Sequence, residues 1–128
     1  MMISHPKGLY TINYSAKERM VYVTPIGLWT SEDVKEYYDR FMKTISPIVC
    51  KEPWVIIYDI RKYQVGNPGK LAEEHLDWQE ENNLKYRAVI TNDGQIKKYL
   101  DNGYSSKVPQ QIFTNEEEAI AWLKSKGF

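Results

Sequence analysis

Trp54-Val55-Ile56-Ile57-Tyr58-Asp59 is the stretch whose reading decides the fold. Apolar and aromatic residues run from Trp54 to Tyr58 without alternation, the pattern of a strand covered on both faces, as central parallel strands are. A helix should therefore lie on either side of it in sequence, and the chain supplies both. Upstream, Thr30 and Ser31 offer an N-cap before Glu32 and Asp33. Val34, Tyr38, Phe41 and Ile45 then recur at helical spacing until the helix ends near Pro47. Downstream, Asn67-Pro68 supplies a cap and a first-turn proline, and Leu71, Ala72, His75, Leu76 and Gln79 share one stripe.

Working outward, Leu9, Ile12 and Tyr14 and then Met20-Val21-Tyr22-Val23-Thr24 are β-rich, and the polar Ser15-Ala16-Lys17-Glu18 between them reads as a hairpin turn. Toward the other end, Tyr86-Arg87-Ala88-Val89-Ile90 reads as a strand. Asn92-Asp93-Gly94 then turns into a short helix with Ile96, Tyr99 and Leu100 on one face and Gly103 at its close. Gln111-Ile112-Phe113 is a brief strand. Asn115 caps a final helix that Glu116, Glu117 and Glu118 open, with Ile120, Trp122 and Leu123 as its apolar residues. The expected order is ββαβαβαβα, an α/β fold with a mostly parallel sheet, an antiparallel N-terminal strand and right-handed crossovers. No linker or low-complexity segment divides it, so residues 1–128 read as a single domain.

Composition narrows the function classes. Lys plus Arg and Asp plus Glu number 17 each, so no general field draws the chain to nucleic acid or to an anionic membrane. Cys50 is the single cysteine, which leaves no internal disulfide and no multi-thiolate metal site and points to the cytoplasm. No run of apolar residues is long enough for an integral membrane segment, and Pro6 and Gly8 interrupt the place where a signal peptide needs its apolar core.

The order of elements, the apolar strand ending in Asp59 and the closing stretch Ile112-Phe113-Thr114-Asn115-Glu116-Glu117-Glu118-Ala119-Ile120-Ala121-Trp122-Leu123 together resemble the SpoIIAA-like fold of STAS domains and their relatives. The resemblance spans nearly the whole chain. In anti-sigma-factor antagonists of this fold, a serine near the start of the helix after the central strand is phosphorylated. Here Ile60 to Gly69 holds no serine or threonine, so a switch of that type is not expected. The resemblance implies binding rather than chemistry.

The residues themselves agree. His5, His75 and Cys50 have no spacing that suits zinc, no Gly-x-Ser-x-Gly elbow is present, and no catalytic residue, metal or cofactor is indicated. His75, on the apolar side of its helix, reads as a satisfied interior group. Loops after parallel strands gather ligands, which makes Trp29, Asp59, Arg61, Lys62, Tyr63 and Asn92 the candidate binding rim. The competing reading is structural: Asp59 pairs with Arg61 or caps a turn, the basic residues are solvated, and Trp29 plugs the sheet edge. Two functions follow. One is a non-catalytic module that binds a protein partner or itself, as a homodimer, through the rim. The alternative is a carrier of a small apolar or lipid-like ligand held between helices and sheet by Trp29, Tyr63 and Trp78.

Overall fold

In the computed structural model of the chain, residues 1–64, 69–92 and 108–128 are described, with the side chains of 69–73 left aside. The expected cap at Asn67-Pro68 and the expected helix through Ile96 to Gly103 lie outside the described residues.

One six-stranded sheet runs in the order β1 (Met2–Ser4), β2 (Tyr10–Ser15), β3 (Met20–Pro25), β4 (Trp54–Asp59), β5 (Leu84–Ile90), β6 (Gln110–Phe113). β1 to β3 pair antiparallel, and β3 to β6 pair parallel. β4 is central, with β3 on one side through Val21↔Ile56 and β5 on the other through Ile57↔Ala88. With a parallel neighbour on each edge and helices packed on both faces, its unbroken apolar run has the cover that it requires.

β1 was not foreseen from the sequence. Met2-Ile3-Ser4 is too short to show a period, and it becomes a strand because the β2 edge offers a register, Ile3↔Ile12, that buries Ile3. The helix after β3 is also divided. α1 (Ser31–Thr44) stops before Pro47, and a short α2 (Ser46–Val49) continues with the proline in its first turn, where the missing N–H costs nothing.

The start of α1 follows its sequence closely. The Thr30 side chain accepts from the Asp33 N–H and the Asp33 carboxylate accepts from the Thr30 N–H, a reciprocal capping box. α3 (Gly69–Glu81) and α4 (Glu116–Ser125) complete the described helices, and Asn115 caps α4 through the Glu118 N–H.

The helices divide between the two faces. On one face Tyr37, Phe41, Ile45 and Val49 of α1 and α2 pack with Ile12, Val21, Val23, Trp54, Ile56 and Leu84, and Trp78 of α3 joins them. On the other, Ala119 and Leu123 of α4 pack against Met20, Val55, Ile57, Ala88, Ile90 and Phe113. Two side chains sit differently from the expected stripes. Tyr37 rather than Tyr38 is the buried tyrosine of α1, and Trp122 is half-buried beside Tyr86 and Phe113 while Leu123 is fully enclosed.

Candidate functional site

The parallel strands deliver their C-terminal ends to one rim, and backbone hydrogen bonds sew its loops together. The Gly27 N–H donates to the Lys62 carbonyl (2.8 Å) and the Gln64 N–H to the Gly27 carbonyl (3.0 Å), a one-residue parallel bridge between the loops after β3 and β4. Gly27 has φ +80°, which a side chain at this turn would strain, so glycine is the residue that lets the chain reach across. The Ile60 N–H donates to the Ile90 carbonyl (2.9 Å), and Asn92 Nδ2 donates to the Arg61 carbonyl (3.1 Å), tying the loop after β5 to the same structure.

The candidate side chains fall on opposite faces of the sheet. Trp29 turns toward the α1 face. Its ring lies 5.3 Å from those of both Tyr37 and Tyr63, and its indole N–H donates to the Leu9 and Ile26 carbonyls. Trp29 thus packs, half-buried, against the core on the α1 face beyond the end of β3, and Tyr63 covers it. Asp59 turns toward the α4 face. Its carboxylate accepts from Arg61 Nε (2.9 Å) and Nη2 (2.7 Å), a side-on bidentate pair, and from the Tyr22 hydroxyl (3.1 Å).

Burial alone would raise the Asp59 carboxyl, but the hydrogen bonds and charge of Arg61 outweigh it and leave the pKa below the ordinary carboxylate value. Burial first, and then the nearby Asp59 charge, push the Tyr22 phenol up. A carboxylate so engaged is a poor base, and the pairing of Asp59 with Arg61 is the structural role weighed from the sequence. Lys62 and Asn92 are exposed, and between Gly27 and Trp29 the side chain of Leu28 stands 66% exposed. Leu28 is the rim residue that the sequence reading passed over. The signal was a large aliphatic flanked by a turn glycine and a tryptophan.

A second polar site lies inside, between α3 and the sheet. Arg87 of β5 is fully buried. Its Nη2 donates to Gln79 Oε1 (2.9 Å) and its Nη1 to Gln110 Oε1 (3.3 Å). A guanidinium has only donors, so the Gln79 atom facing it must be the oxygen. That orientation places Gln79 Nε2 against the Tyr58 hydroxyl (2.7 Å) and His75 Nε2 (3.2 Å), so neutral His75 carries its proton on Nδ1. Burial, reinforced by the charge of Arg87, lowers the His75 pKa to about 3. The ring lies between Tyr38 (4.3 Å, stacked) and Trp78 (5.9 Å, stacked). His75 is thus an interior group, as its position on the helix implied. Trp78, expected beside Trp29 and Tyr63 in the ligand-carrier reading, instead packs on Phe41, Trp54 and His75.

At the opposite end of the strands, a cleft of about 520 Å³ is lined by Lys17, Arg19, Glu52, Lys126 and Phe128 among others. Its charges are mixed, and Arg19 pairs with Glu52 (2.7 Å), which leaves no distinct recognition chemistry there. Among the described residues no group of three His, Cys, Asp or Glu could hold a metal, and no helix is long and apolar enough to cross a membrane.

No family model matches the chain, and no curated protein matches it. Among solved structures it is similar to an uncharacterised protein of the DUF3478 family from Shewanella loihica PV-4, described as having a SpoIIAA-like fold. The likeness has a TM-score of 0.62 at 17% identity and covers 88% of this chain and 90% of that one. Identity that low speaks to architecture alone, and with the sheet order and the split of helices between its faces, it establishes that this chain has a SpoIIAA-like fold.

Proposed function

We propose that the chain is a non-catalytic, STAS-like binding module that engages a protein partner, or a second copy of itself, through the rim beyond β4. The observation that carries this reading is the stitching of the rim. Its loops are held by backbone bonds from Gly27, Ile60 and Gln64, while Leu28 and Lys62 face outward from that frame. Loops fixed in this way lose little conformational freedom on docking, which favours recognition. An aliphatic side chain beside a cation suits a partner patch that joins an apolar dent to an acidic group. Asp59, already engaged by Arg61 and Tyr22, is poorly placed to act as a base, which supports a binding role for the rim.

The rim reading is tested with Lys62→Glu combined with Leu28→Ser. Both side chains are exposed to solvent, so the fold should be kept. Partner capture or self-association should be lost while the melting curve stays in place. Retention of every interaction by this double variant would move the site elsewhere on the surface.

A further inference from the structure

Arg87 poses a question that the rim does not answer. Its guanidinium is fully buried, yet among the described residues no carboxylate is paired with it. The ion pairs found there join His5 to Glu36, Arg19 to Glu52 and Arg61 to Asp59. Buried charges in folded proteins are neutralised by a counter-charge or coordinated by one. The two contacts that Arg87 does make are to neutral amide oxygens, of Gln79 and Gln110. Five N–H groups are available on a guanidinium, and its buried Nε has no partner. The buried Tyr37 hydroxyl likewise has none, although it faces Tyr58, whose own hydroxyl accepts from Gln79. Two orphaned donors therefore lie in one connected layer, and an orphaned buried donor calls for an acceptor.

We propose that Arg87, supported by Gln79 and Gln110 and joined by the Tyr37 hydroxyl, forms an interior receptor for one small carboxylate monoanion between α3 and the sheet. The charge count selects the class. Neutral His75 contributes no charge, so among the described residues the layer carries a single positive charge, and a monoanion balances it where a phosphate dianion would leave an excess. Shape agrees, because the free Nε edge of a planar guanidinium takes a planar carboxylate side-on. Asp59 and Arg61 make this same Nε and Nη2 arrangement at the rim. Gln79 acts as a positioning residue: through its oxygen it holds the guanidinium, and through its nitrogen it orients Tyr58 and His75.

The test is calorimetric titration of the intact chain with sodium acetate, sodium octanoate and sodium phosphate at matched ionic strength, with thermal melting in parallel. Acetate or octanoate should bind saturably and raise the melting temperature. Comparing the two shows whether the source is a short acid or one with an apolar tail. Losing a hydrogen bond to a charged group weakens affinity by about tenfold, so Tyr37→Phe should show a loss of that size, and Arg87→Met, which removes the cation itself, about a hundredfold or more. Should Arg87→Met not fold, Gln110→Glu carries the test, since it places a carboxylate beside Arg87 Nη1. That variant should melt higher than the wild type without ligand and respond less to added carboxylate. The proposal is overturned if no carboxylate binds saturably, if phosphate binds as tightly as the monoanions, or if Gln110→Glu neither stabilises the chain nor blunts its response.

Discussion

Two arginines set the rim and the interior apart. Arg61 lies at the surface and has its carboxylate, Asp59, held by two charged hydrogen bonds. Arg87 lies wholly inside and has only amides. Water could solvate Arg61 if its partner were lost, so the rim pair contributes modestly to stability and mainly fixes the shape of a loop. Bulk solvent does not reach Arg87, so each neighbour that touches it matters to the fold. The lesson is that, among the described residues, the cation most shielded from solvent lies away from the rim proposed for docking.

This contrast can be broken by substitution, and the interior should give the largest effect. Gln79→Leu strips Arg87 of a hydrogen bond and leaves Tyr58 and His75 without their donor, so it should cost about 3–5 kcal/mol in urea unfolding. A loss under about 1 kcal/mol would mean that the layer is wetter than its burial implies.

Next in size is acidification. The folded pKa of His75, about 3, lies below the ordinary histidine value, so between pH 6.5 and 3 the unfolded chain binds the extra proton. Stability is therefore complete above the unfolded value and falls as pH drops, by about 2 kcal/mol between pH 6.5 and 5. His75→Phe should flatten that slope, which urea titrations at several pH values can read. A smaller change is expected at the rim. Arg61→Ala leaves the largely buried Asp59 with Tyr22 as its remaining side-chain partner and should cost about 1 kcal/mol. Lys62→Glu, on an exposed side chain, should stay within about 0.5 kcal/mol. Lys62 rather than Arg61 is thus the residue with which to probe binding, because its loss does not disturb the loop.

Much of the architecture was legible in the sequence because its signals are local. The Thr30 cap, the acids opening α4 and the unbroken Trp54 to Tyr58 run each identify an element without reference to the rest of the chain. β1 was not legible, since three residues become a strand only through the neighbour they pair with. The rim loops were legible as positions after strands, but the face that each side chain takes was not. Trp29 and Asp59 end on opposite sides because they leave the sheet from different strands in different phase. Arg87 was hidden for a further reason. A charged residue in a strand reads as solvent-facing, and only the helix packed above β5 reveals that this position faces inward. The one available hint was a lone cation before the apolar Ala88-Val89-Ile90.

The docking claim is tested most directly by placing a photo-crosslinking side chain at Leu28 on the rim and, separately, at Ile48 on α2, an exposed aliphatic away from the rim. The rim reading predicts that a protein partner or a second copy of the chain is crosslinked from position 28 and not from position 48. Equal yields from both positions, or capture from position 48 alone, would contradict it.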